Sequence, residues 1–198
     1  TKLFNVARFA SQFEIPENLD TNPGNLAVED RWILAEFDAT MDTVRQSWEK
    51  LDIYTATQAL KTFGTGVLPS HYLEMVKSRL YDGDMSAAWT LHRIVRDFMS
   101  AFTPVCPFFT HHISETLYNR SAVDIDAFPE TADASVALGT EGGDHLRNLS
   151  NLLQTFNGDT WNTKKEQGIS LNQPISGLVI PEELSEFTAI LTRMHHLE

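Results

Sequence analysis

A chain of 198 residues with 42% hydrophobic and 10% aromatic side chains can bury a sizeable core, which excludes the intrinsically disordered classes. No apolar run reaches the ~20 residues of a membrane-spanning helix, no secretory signal opens the chain, and the single cysteine, Cys106, cannot close an internal disulfide, so a soluble protein of the reducing cytoplasm is expected. A formal net charge of −12 argues against a general nucleic-acid binder, because phosphate contacts normally demand a basic surface.

The first fifteen residues read as a helix with two faces. Leu3, Val6, Ala7, Ala10 and Phe13 make an apolar stripe, while Asn5, Arg8, Phe9 and Gln12 follow i, i+3, i+4, i+7 on the opposite side. Pro16 and the Asn22–Asn25 turn close it. Between Glu14 and Asp52 ten carboxylates face three basic residues, an acidic stretch that suits a basic protein partner. Within it, Leu34, Phe37, Met41, Val44, Trp48 and Leu51 alternate spacings of three and four, the pattern of a long packed helix. Asp52 is placed to cap a third helix, which Gly64, Gly66 and Pro69 are expected to kink or break before it resumes to Leu80. Asp84 caps the next helix, with Ala88, Leu91, Val95, Phe98 and Phe102 inward, and Pro107 opens a fifth that ends near Tyr118. Short connections between amphipathic helices predict an antiparallel bundle over 1–130. The polar stretch 121–143 reads as a linker, and 131–198 as a small mixed α/β subdomain. In that subdomain a helix covers about 144–156, Leu178-Val179-Ile180 forms a buried strand, and Pro181 starts a terminal helix.

Several strings in this order carry a resemblance. The run His71-Tyr72-Leu73-Glu74-Met75-Val76-Lys77-Ser78-Arg79-Leu80-Tyr81, followed by Pro104-Val105-Cys106-Pro107-Phe108-Phe109, resembles the anticodon-binding helical bundle of the class I aminoacyl-tRNA synthetases for valine, isoleucine and leucine. Thr1 to Phe9 resembles the first helix of that bundle. Ser121 to Glu130 is similar to its closing segment, and Trp161 to Ile175 to the small domain behind it. The valyl branch fits best and the isoleucyl branch is the alternative. Two departures stand out: the glycines at 64 and 66, and Ser70-His71 where relatives show an acid before an aromatic or histidine.

The resemblance implies a tRNA-binding, non-catalytic piece of a longer ligase. Neither catalytic signature of the family's nucleotide-binding domain occurs here. ATP and magnesium would belong to the parent enzyme, no cofactor to this chain. Its partners would be tRNA, that of valine foremost, and the catalytic and editing domains, the protein being a monomer with no membrane association. The opening inside a helix without methionine, and the terminal Leu197-Glu198, also read as an excised piece.

Eight residues are candidates for tRNA contact. Asn5, Arg8, Phe9 and Gln12 offer an aromatic, a guanidinium and two amides on one face, the inventory for stacking unpaired bases and bonding their edges. The plainer alternative packs Phe9 under the 15–27 loop and pairs Arg8 with an acid of the next helix. Lys77 and Arg79 have the charge to meet phosphates, although Glu74 sits within reach of Lys77 on the same helix. Lys164 and Lys165 are adjacent cations where the resemblance places a tRNA-near segment; the alternative is a solvated helix end. His111, His112 and Glu115, or His195-His196, lack the spacing of a metal site, and no metal is expected. Cys106, between two prolines, is expected to be buried and inert.

Overall fold

A computed structural model describes residues 2–120, 128–129 and 140–198. Apart from 128–129, the segment 121–130 that carries part of the resemblance, and most of the expected linker, therefore lie outside the described residues. The order is α1 (Lys2–Ala10), α2 (Val28–Glu49), α3 (Ile53–Thr62), a π-helical stretch (Phe63–Tyr72), α4 (Leu73–Tyr81), α5 (Met85–Phe102), α6 (Pro107–Tyr118), α7 (Thr140–Glu166), a 3-10 turn (Glu182–Phe187) and α8 (Thr188–His195).

Local chemistry sets most of the ends. The Asp52 carboxylate accepts the Thr55 amide at 3.0 Å and opens α3. The Asp84 carboxylate accepts the amides of Ser86 and Ala87 at 2.9 and 3.2 Å and opens α5. Pro107 occupies the first turn of α6, where its missing N–H costs nothing, and Asn119 ends that helix in the left-handed region. The expected seam of α2 holds through Leu34, Phe37, Met41 and Val44, all buried, with Trp48 half-buried. Leu51 leaves it: the helix stops at Glu49, and Leu51 sits at φ 58° and 82% exposed.

Residues 53–81 run without the break expected at Gly64, Gly66 and Pro69. The ladder widens instead, with the Leu73 amide reaching the Leu68 carbonyl. Pro69 has no N–H to give and its ring would crowd the carbonyl four residues back, and a wider turn accommodates both. Gly64 lies inside this stretch against α5 and α1. A Cβ there would come within 2.5 Å of Phe98 Cζ and 2.8 Å of Leu3 Cδ2, so only glycine fits without displacement.

One core joins the described residues on both sides of the 130–139 segment. Trp32, Ile33, Met41, Leu60, Phe63, Tyr72, Leu91 and Phe98 form its centre, and Leu146, Leu153, Phe156, Leu184, Phe187 and Leu191 from beyond residue 140 join the same cluster. Trp32 Nε1 donates to Ser150 Oγ at 3.2 Å, tying α2 to α7. The small α/β subdomain is not what the C-terminal residues form. Among the described residues β pairing is confined to one parallel bridge, Ile175 with Leu197. The expected strand 178–180 is irregular and Val179 is 85% exposed, because its neighbours offer no partner strand. Pro181 opens the 3-10 turn, which passes directly into α8. The helix expected over 144–156 is longer, reaching Glu166.

Two buried polar knots hold elements together. At one end of the bundle Arg79 Nη1 lies 2.9 Å from Glu29 and 2.7 Å from Asp30, and its Nε lies 2.9 Å from Asp84. Tyr72 donates to Asp30 at 2.8 Å. Burial raises Asp30 to about 6 against the pull of Arg79, while Asp84, despite partial burial, is held at about 2 by Ser86, Arg79 and the Ala87 amide. Near the C-terminus, His195 Nε2–H donates to Asn157 Oδ1 at 2.8 Å and Asn157 Nδ2 donates to His71 Nδ1 at 3.2 Å. The Trp161 ring lies between the two imidazoles, at 5.5 and 5.6 Å. Burial, with the Lys164 charge nearby, pushes His195 down to about 4, so both rings stand neutral and bind α8, α7 and the π-helical stretch.

Candidate nucleic-acid interface

The apolar stripe of α1 is buried in the fold. Val6, Ala7 and Ala10 are 3%, 1% and 0% exposed against the bundle, and Lys2 Nζ donates to the Thr65 carbonyl at 3.0 Å, fixing the helix along the π-helical stretch. Asn5 and Arg8 are thereby turned outward. The helix ends at Ala10, so Gln12 belongs to the turn that follows; it remains exposed, its amide nitrogen donating to the Arg8 carbonyl at 3.3 Å. Among the described residues no carboxylate pairs with the Arg8 guanidinium, so the plainer ionic reading of Arg8 has no counterpart there.

Phe9 is half-buried and packs against other rings rather than standing open on the face. Its ring meets Phe13 edge-on at 5.0 Å, and Tyr81 at 6.3 Å; Phe13 and Tyr81 meet at 5.5 Å. Phe13 and Tyr81, though not Phe9, line an open cleft of about 350 Å³ that also takes in Gln12, Glu14, Asp84 and Met85. Tyr81 is 65% exposed and Met85 46%.

Sequence reasoning passed over two aromatics at this face. Phe4, 46% exposed, lies four residues before Arg8, so the helical spacing that groups Asn5, Arg8 and Gln12 contains it too. Tyr81 follows the core residue Leu80 at the end of α4, and nothing local in the sequence brings it beside α1.

The four other candidate cations divide. Lys77 is half-exposed and bonded to Glu74 at 2.7 Å on its own helix. Lys165 is exposed at the end of α7. Arg79 is spent inside: its side chain is only 13% exposed, and Glu29, Asp30, Asp84 and Ser86 engage four of its five N–H donors, which leaves at most one for a phosphate. Lys164 is 0% exposed, and its ammonium donates to the Leu171 and Gln173 carbonyls at 2.8 and 2.6 Å. Burial lowers its pKa, and the charge serves to pin the loop after α7.

The acidic stretch 14–52 also loses part of its outward charge. Glu29, Asp30 and Asp38 are buried, Asp52 is a helix cap, and Asp20 pairs with Arg96 at 2.7 Å. Hydrogen bonding to Arg96 lowers the Asp20 pKa. His111 stands 3.8 Å from Glu115, and no group of three or more possible metal ligands occurs among the described residues. Cys106 is half-buried rather than enclosed. No helix among the described residues is long and apolar enough to cross a membrane. The face of α1 and the adjoining cleft can therefore stack an unpaired base, bond its edge with amides and offer one free guanidinium to a backbone.

Comparison with known proteins bears on what such a face serves. Residues 30–179 match the family described as the anticodon-binding domain of tRNA ligase. The chain is 29% identical over 176 residues to the valine–tRNA ligase of Saccharolobus solfataricus, covering 88% of this chain and 20% of that protein. The valine–tRNA ligase of Aeropyrum pernix is 29% identical over 206 residues, 98% of this chain and 24% of its own. That of Haloarcula marismortui is 28% identical over 197 residues, 98% and 21%. The chain thus spans about a fifth to a quarter of the length of the curated relatives it matches. The family match begins inside α2, and the similarity to the last two relatives extends over α1 as well.

Proposed function

The chain belongs to the family of anticodon-binding domains of tRNA ligases, and on that premise we propose that it is the tRNA-binding part of a valine–tRNA ligase, using the outer face of α1 to hold the anticodon region. The names of the relatives favour valine over isoleucine. The observation that carries the assignment of the surface is the division of α1: Val6, Ala7 and Ala10 are sealed against the bundle while Asn5 and Arg8 face outward, the guanidinium unpaired among the described residues. A helix anchored on one side presents base-reading groups at a fixed register, which lowers the ordering cost of binding. Lys165, exposed, and Lys77, half-exposed, are the cations assigned to backbone contacts in this reading. Arg79 and Lys164 contribute by holding the scaffold.

In this reading the chain performs no chemistry and needs no cofactor of its own. ATP and magnesium serve the catalytic part of the longer ligase, which with the editing part forms the protein partner of this monomeric, cytoplasmic module. The contribution to charging is specificity: a wrong base that cannot complete a hydrogen bond leaves a polar group buried and unpaired.

The test is a titration of the chain with valine tRNA transcripts carrying the native or a swapped anticodon, at two salt concentrations. Preferential binding of the native anticodon, weakening with salt and reduced roughly tenfold by Arg8→Ala, is expected. Equal binding of both anticodons, unchanged by Arg8→Ala, would overturn the assignment of α1.

A further inference from the structure

Helix α5 is covered on two sides. Leu91, Ile94, Val95 and Phe98 pack into the core, and on an amphipathic helix the opposite face meets water. On α5 that face carries Trp89, His92, Arg93 and Arg96 at i, i+3, i+4 and i+7, and it is closed instead. Trp89, His92 and Arg93 are buried, and the Arg96 side chain is 14% exposed.

The cover is the segment that follows α1, and all four side chains reach it with a polar group. His92 Nε2–H donates to the Phe13 carbonyl at 3.3 Å, Trp89 Nε1–H to the Asn18 carbonyl at 3.2 Å and Arg93 Nη1 to the Leu19 carbonyl at 3.0 Å. Arg96 pairs with the Asp20 carboxylate at 2.7 Å. The carbonyls need such donors, because residues 14–26 make no backbone–backbone hydrogen bond among the described residues. The other ring nitrogen of His92 sets its tautomer. Nδ1 accepts from the Tyr118 hydroxyl at 3.2 Å, which leaves the proton on Nε2, and burial keeps the ring neutral. Burying an imidazole and a guanidinium costs free energy that an apolar face would not. What it secures is position: a segment without regular structure is tied down between Phe13 and Asp20.

The tie at Phe13 bears on the α1 face. Gln12 lies just past the end of α1, held by its own amide bond to the Phe9 carbonyl at 3.2 Å and by one side-chain N–H on the Arg8 carbonyl. Its second amide N–H and its oxygen stay available to a ligand. The His92 bond fixes the chain one residue further on, where no helical ladder continues.

We propose that Trp89, His92 and Arg93 are positioning residues for RNA binding: buried, they meet no RNA themselves, and they hold the segment 12–20 so that Gln12 keeps its register with Asn5 and Arg8. The proposal rests on the reading of α1 as the anticodon-facing surface and says what keeps the far end of that surface ordered.

The test reads order and recognition in the same chain. His92→Leu removes the donor and keeps apolar bulk, Trp89→Phe removes the indole N–H and keeps a ring, and His92→Gln restores a donor near the Nε2 position. NMR relaxation gives the order parameters of the backbone amides over 12–20. Each variant, kept below its thermal transition, is also titrated with stem–loop RNAs carrying the valine anticodon or a swapped one. His92→Leu is expected to loosen these amides and to lose roughly 2- to 10-fold of the preference for the valine anticodon, the contribution of one hydrogen bond at a base edge. Trp89→Phe is expected to act in the same direction, and it carries the comparison if His92→Leu does not fold. His92→Gln is expected to recover both order and preference. A merely structural role would lower the unfolding temperature and leave the preference of the folded chain unchanged. That result, or amides as ordered in the variants as in the wild type, overturns the positioning role and leaves the α1 reading standing. A wild-type chain that binds both anticodons alike overturns the α1 reading and this role with it.

Discussion

His195 gives the sharpest physical test of how the C-terminal residues are held. Its ring is 1% exposed and donates to Asn157, and burial holds its pKa at about 4 against an ordinary 6.5. The folded state therefore keeps it neutral, and the unfolded chain takes up its proton first as pH falls. Stability from this site is complete above 6.5 and is lost as pH drops through the window from 6.5 to about 4. At about 1.4 kcal/mol per pKa unit, the site loses about 2 kcal/mol between pH 7 and pH 5. Screening by water near the chain end reduces this to about 1–2 kcal/mol. Asp30, held up by burial, acts with the opposite sign, so the raw pH profile mixes the two. A difference measurement separates them. Wild type and His195→Gln, which keeps a donor near the Nε2 position, are unfolded with urea at several pH values. The stability gap between them should shift by about 1–2 kcal/mol in favour of the variant on acidification from pH 7 to pH 5. Parallel profiles, or an NMR titration placing His195 near 6.5, would refute the reasoning.

Two further stability predictions follow from the same structure. Arg79→Met leaves Glu29 and Asp30 buried without their cation and should cost about 3–5 kcal/mol in urea unfolding, part of it regained by adding Asp30→Asn; a loss under about 1 kcal/mol would return Arg79 to the surface. Gly64→Ala should cost about 1–3 kcal/mol by forcing Phe98 and Leu3 apart, whereas Gly66→Ala, with nothing within 4 Å of its new Cβ, should be neutral or gain up to about 1 kcal/mol. Equal thermal shifts for the two alanines would contradict the packing described at Gly64.

The amino-acid sequence by itself determined what local physics controls. The three-and-four spacings placed the buried stripes of α1, α2 and α5. Asp52 and Asp84 announced their caps, because an N-cap needs only amides two or three residues on. Pro107 marked the start of α6 for the same local reason. The outward positions of Asn5 and Arg8 followed from the stripe opposite them, and the ordered strings of the family were readable without coordinates. Where local signals conflicted, reading failed: the glycines and Pro69 suggested a break, but packing of Phe63, Val67 and Leu68 into the core keeps the helix going as a wider coil.

Only the tertiary structure decided which charges face water. Arg79 and Lys77 stand two residues apart in one string, yet one is consumed by Glu29, fifty positions away, and the other pairs at the surface. Lys164 and Lys165 are adjacent; the first is buried under the carbonyls of the following loop and the second is exposed. The cleft at Tyr81 exists because α4 ends beside α1, far earlier in the chain. Helical phase is written in neighbours three and four residues apart, whereas the fate of a cation depends on partners that the fold alone brings within about 3 Å, and burying it there is tolerable only when those partners satisfy its donors.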